Sequence, residues 1–196
     1  RQDQYAAVFG GINFLQFNGN GVVKVIPVKI DKDYIFELEK HLVLAYIGER
    51  GASGEIQSIL VDQQVNNNSH DLSDKTKILL ELKEICNDMY TSLARGQLDY
   101  FGTLLDKSWK IKKGLSNKIS SHTIDDIYIK AKNSGAIGGK ITGAGGGGCM
   151  VFFSKSNTEH KIVDTLTKLG SQVIDFSFED NGLVTWELEK KNRKLT

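Results

Sequence analysis

The chain has 196 residues, 25 Lys and Arg against 24 Asp and Glu, and 20 glycines but a single proline. A formal net charge of +1 offers no field of either sign to a nucleic acid or an anionic membrane surface. The 40% hydrophobic content suffices for a core and excludes a disordered chain, and no apolar run approaches the ~20 residues of a membrane span.

Cys86 and Cys149 cannot build a disulfide framework and form no Cys-x-x-Cys pair, so a reduced, cytoplasmic compartment is expected. Arg1-Gln2-Asp3-Gln4 is not a signal peptide, and a helix-like pattern begins at once. The chain reads as if cut from something longer.

Residues 3–9 predict a short helix stopped by Gly10-Gly11. Residues 12–17 and 22–30 predict two strands around Asn18-Gly19-Asn20-Gly21, a hairpin signal because Asn and Gly tolerate positive φ. Pro27 makes the second strand an edge, or ends it. The charged stretch 31–40 receives no element, and 41–48 reads as a buried strand. Helices are expected at 55–65, at 74–95 with Ile78, Leu82, Ile85, Met89 and Leu93 on one face, and at 98–112 with Leu98, Phe101, Leu105 and Trp109. Another spans 122–133 with Ile124, Ile127, Tyr128 and Ala131. Strands follow at 136–142 and 149–154, then a helix at 160–170 and a hairpin of 171–178 with 183–189. Trp109 and Trp186 are read as core residues. Strands around a helical middle mean α+β, an antiparallel sheet covered by helices.

The glycines concentrate in 138–148, GGKITGAGGGG. Glycines in series permit positive φ and close ligand approach, and their N–H groups can gather on an anion. Gly143, Gly145 and Gly148 fit a dinucleotide-binding spacing, but strand rather than helix follows them. Lys140 is followed by Ile141, which excludes a Walker A loop. A strand–glycine loop–strand element beside a phosphate remains, with a ligand-free flexible turn as the plainer alternative. The histidines lack ligand spacing, so no metal site is read. Both cysteines read as small hydrophobes.

KITGAGGGGCMVFF resembles the third signature motif of the GHMP small-molecule kinases, and RQDQYAAVFGG resembles the segment carrying their catalytic aspartate. QDQYAA, FGGINF and SWKIKKGLSNKIS are most similar to the sugar-kinase branch that acts on heptose phosphates. The resemblance runs from Gln2 to about Trp186, and two motifs of the family's N-terminal domain are absent. It therefore implies the C-terminal part of such a kinase. Residues 1–30 would be the tail of the N-terminal domain, a helix plus hairpin, and 31–196 a ferredoxin-like C-terminal domain.

The implied activity is ATP-dependent phosphorylation of a sugar or sugar phosphate, with D-glycero-D-manno-heptose 7-phosphate as the expected acceptor. ATP and Mg²⁺ would sit mainly on the N-terminal domain, the partner of this one. Thr142, Gly143, Ala144, Gly145, Gly146 and Gly147 would form the nucleotide-phosphate loop. The resemblance implies that Asp3 is the catalytic carboxylate; from sequence alone an acid complementing a helix dipole is the stronger reading. Gln4, Arg50 and Lys113 are candidate substrate contacts, and Lys110, Lys112 and Lys113 otherwise read as a solvated helix face. The competing class is a non-catalytic ferredoxin-like module that binds a small molecule.

Overall fold

The computed structural model describes residues 2–49 and 69–187, with side chains from Asp74 onward in the second stretch. The expected helix at 55–65 and Arg50 lie outside the described residues. The chain divides into two units, one of residues 1–28 and 178–196, the other of 29–177.

In the first unit, α1 (Gln2–Phe9) buries none of its residues. Strands β1 (Asn13–Phe17) and β2 (Val23–Pro27) pair antiparallel, with Phe17 opposite Val23 and Asn13 opposite Pro27. Proline is tolerated there because a two-stranded sheet has only edges. The turn closes through Gly21 N–H to Asn18 O at 3.1 Å, with Gly21 at φ +82°.

The expected strand at 183–189 does not form over its described residues. Leu183 N–H instead donates to Val8 O at 2.9 Å, and Gly11 N–H donates to Glu179 O at 2.8 Å. The amide that a hairpin would have used serves an orphan carbonyl at the end of α1. Trp186 is 78% exposed rather than buried.

The second unit begins with α2 (Lys32–His41), the stretch given no element from sequence. Leu38 and His41, three residues apart, are its buried face, and the surrounding charge hides that period. His41 Nδ1–H donates to Ser154 O at 3.0 Å, Nε2 lies 3.1 Å from Glu37 Oε1, and the ring stacks on Phe153.

The sheet consists of β3 (Leu42–Tyr46), β4 (Ala136–Ile141), β5 (Cys149–Ser154) and β6 (Gln172–Ile174), in the order β4-β5-β3-β6 with every neighbour antiparallel. Helices α3 (Ser69–Ala94), α4 (Leu98–Lys113) and α5 (His122–Asn133) lie between β3 and β4, and α6 (Glu159–Lys168) between β5 and β6. This is the ferredoxin-like order, as expected.

The four residues expected on the inner stripe of α5 are all buried. They join Trp109, Phe152, Met150, Ile162 and Leu166 in one cluster. Side chains of this size contribute roughly 1.5–3 kcal/mol each when fully buried. Gly138 has a packing role: a Cβ there would lie 2.1 Å from Gly102 O, so β4 and the α4 backbone touch directly.

Candidate functional site

The glycine loop joins β4 to β5, the adjacent antiparallel strands that end at Ile141 and resume at Cys149. Gly143, Gly145, Gly146, Gly147 and Gly148 have φ of +99°, +127°, +76°, +131° and +82°, a region closed to most side chains. A Cβ on Gly145 would also stand 3.0 Å from Ile119 O, tighter than ordinary contact.

The loop is pinned at several points. Thr142 N–H donates to Cys149 O, Gly146 N–H to Ile119 O, and Gly148 N–H to Gly48 O, each at 2.9 Å. Thr142 Oγ1 also donates to Cys149 O, at 3.1 Å. The Lys112 ammonium donates to Gly143 O. By contrast, the N–H groups of Gly143, Ala144, Gly145 and Gly147 make no hydrogen bond among the described residues. A row of unpaired amides on a glycine backbone is the geometry that receives an anion.

The other lysines at the end of α4 are engaged elsewhere. Lys110 pairs with Asp106 at 2.7 Å, and Lys113 pairs with Asp125 at 2.8 Å while standing 5.9 Å from the Trp109 ring centre. Ser120 Oγ donates to the same Asp125 at 2.8 Å. Burial pushes Asp125 up, but the bonds from Lys113 and Ser120 outweigh it and hold the carboxyl below its ordinary range. Asp106 behaves likewise: burial raises it, and bonds from Lys110, Tyr128 and Lys132 bring it below. Burial also lowers the Lys140 ammonium on β4, against a smaller opposing influence of Cys86.

Of three loop neighbours, Lys112 reads from sequence only as one lysine of a solvated helix face, and Ile119 and Gly48 receive no assignment to the loop, because each contact is made across the fold. Lys113 is drawn to Asp125, on the first turn of α5. Asp3 and Gln4 lie exposed on α1, in the first unit, and the Asp3 side chain makes no hydrogen bond or ion pair among the described residues. A cavity of about 890 Å³ in the second unit is lined by Asp33, Glu37, His41, Asp99 and Tyr100. It lies at the other end of the strands from the glycine loop, and its carboxylates disfavour a phosphate. Among the described residues, no group of three or more His, Cys, Asp and Glu side chains suits a metal ion. No described helix is long and apolar enough to cross a membrane.

Residues 89–172, from the last turns of α3 to the start of β6, match the family model of the GHMP kinases C-terminal domain. The chain carries a GHMP kinase C-terminal domain. It is similar to the D-glycero-alpha-D-manno-heptose 7-phosphate kinase of Campylobacter jejuni, at 32% identity over 95% of this chain and 53% of that protein. It is also similar to the L-fucokinase/L-fucose-1-P guanylyltransferase of Bacteroides fragilis, at 30% identity over 79% of this chain and 16% of that protein. A solved D-glycero-D-manno-heptose 1-phosphate kinase from Bacteroides thetaiotaomicron aligns over 96% of this chain and 49% of its own, with 26% identity and a TM-score of 0.68. The chain thus spans about half the length of the heptose kinases it matches. In this GHMP kinase domain the glycine loop, at 142–148, falls within the matched residues, whereas Asp3 lies before them.

Proposed function

We propose that this chain is the C-terminal part of an ATP-dependent kinase that phosphorylates a hydroxyl of a sugar or sugar phosphate, with D-glycero-D-manno-heptose 7-phosphate as acceptor. Residues 1–28, with 178–196 that group with them, would complete an ATP-binding N-terminal domain, and residues 29–177 would form the C-terminal domain. The observation that carries this reading is the glycine loop. Its unpaired N–H groups at Gly143, Ala144, Gly145 and Gly147 offer fixed donors to phosphate oxygens at no reorganisation cost.

Asp3 takes the role of orienting the acceptor hydroxyl. The hydroxyl oxygen attacks the terminal phosphorus of ATP, the bond to the ADP oxygen breaks, and the hydroxyl proton passes to the Asp3 carboxylate. Its exposure and its freedom from partners among the described residues suit a group that must meet a substrate. Gln4 and Arg50 are assigned to the sugar or its phosphate. Lys113 contributes mainly by holding Asp125, the partner it already has. ATP and Mg²⁺ are assigned mainly to the N-terminal domain.

The two heptose kinase relatives agree on the sugar and differ in the phosphate position they name. The test is therefore ATP turnover by the complete protein with the 7-phosphate, the 1-phosphate, L-fucose and mevalonate. Turnover of a heptose phosphate is expected. In that protein Asp3→Asn should lower kcat by about 10²–10⁴ while nucleotide affinity survives. Preference for mevalonate would overturn the substrate class, and an unchanged kcat would remove Asp3 from its role.

A further inference from the structure

The glycine loop has little conformational preference of its own. Its five positive-φ glycines leave the backbone many alternatives, so something must choose the arrangement that frees the amides. The described peptides are all trans. In a planar trans peptide the C=O and the following N–H point in opposite directions. Fixing one end of a peptide plane therefore aims the other.

Three planes in the loop are fixed in this way. Gly146 N–H on Ile119 O fixes the 145–146 plane, and Gly148 N–H on Gly48 O fixes the 147–148 plane. Both pins join backbone to backbone. The 143–144 plane is held differently, by the Lys112 ammonium on Gly143 O. With that carbonyl turned to Lys112, Ala144 N–H faces the other way, and it is one of the unpaired donors.

We infer that Lys112 is a positioning residue of the loop. It selects the 143–144 peptide orientation that presents Ala144 N–H to a polyphosphate. The inference rests on the reading of the loop as an anion site and adds the residue that keeps the site formed when empty. A bond from a charged donor to a carbonyl is about twice as strong as a neutral one, enough to decide between two orientations of a glycine peptide.

The test uses the 196-residue chain labelled with ¹⁵N and inorganic triphosphate as probe. Addition of triphosphate to the wild type should shift the Ala144, Gly145 and Gly147 amides saturably. Lys112→Met should lower the heteronuclear NOE of Gly143 and Ala144 in the free protein, leave that of Gly148 in place, and weaken triphosphate binding roughly 10-fold or more. Lys112→Arg should restore both. Lys118→Met, which removes the same charge from an exposed neighbouring turn, should change the affinity less than about 2-fold.

Saturable wild-type shifts with unaltered NOE and affinity in Lys112→Met would overturn the inference and leave the loop reading standing. An equal loss in Lys118→Met would replace positioning by bulk charge and overturn it as well. Wild-type loop amides that ignore triphosphate would overturn the loop reading, and the inference with it.

Discussion

Gly138→Ala is the sharpest test of how the sheet and helices are joined. Gly138 is outside the left-handed region, so Ala suits its backbone, and only space is at stake. The new Cβ would stand 2.1 Å from Gly102 O and 2.6 Å from Asp106 N, both backbone atoms of α4. Ordinary contact begins near 3.4 Å, so α4 and β4 must separate by about 1.3 Å. No rotamer change relieves this, and α4 carries Leu104, Leu105 and Trp109 in the core. Overpacking costs ~1–3 kcal/mol, and with backbone on both sides the upper end applies. That corresponds to a fall in Tm of ~6–12 °C. Trp186→Phe provides the background, leaving the fully buried Trp109 as the sole tryptophan and a reporter of the second unit. Gly170→Ala is the comparison. It meets no atom within 4 Å but sits at φ +80°, so only the left-handed penalty of ~1 kcal/mol remains. A Gly138→Ala Tm within 3 °C of the background, or no lower than that of Gly170→Ala, would refute the direct contact.

Asp106 is held below its ordinary 3.8 by Lys110, Tyr128 and Lys132, so its stabilisation is complete above about pH 4 and is lost as pH falls through the depressed value. Asp106→Asn should cost ~2–3 kcal/mol in urea unfolding at pH 7, and the gap should narrow below pH 4; a gap independent of pH would show that its charge is not what matters. Ser121 is the N-cap of α5, and its side chain accepts from Ile124 N–H at 3.3 Å. Ser121→Ala should cost about 1 kcal/mol by urea unfolding and Ser121→Asp almost nothing; equal losses in both would argue against the cap.

What the sequence disclosed follows the range of the forces involved. The inner face of α5 was legible residue by residue, because its burial repeats at helical spacing. The turn after β1 was legible from Asn18 and Gly21. Helix α2 was not, because only Leu38 and His41 are buried among eight other residues, most of them charged or half-exposed. The strand expected at 183–189 failed because local alternation cannot show that the Leu183 amide serves Val8 instead. At the site, composition disclosed that glycines gather, but not their division of labour. Gly138 yields room to a helix, whereas Gly143 to Gly148 shape a loop. Lys112 was indistinguishable from Lys110 and Lys113 in sequence. Three different partners separate them in space, one of them 31 residues away.

The stitching of α1 to residues near 180 also sets an order of assembly. The Val8 carbonyl of α1 waits for Leu183, and Gly10 is closed over by Asn181 and Gly182. Residues 29–177 form the other unit and leave the ribosome in between. At usual synthesis rates roughly 10–35 s separate Val8 from the residue that satisfies it. The later-made unit can therefore close first, while the earlier-made segment waits for its partner. Within these residues folding thus runs against the order of synthesis, and a chain stalled before Leu183 would leave the Val8 carbonyl without its partner.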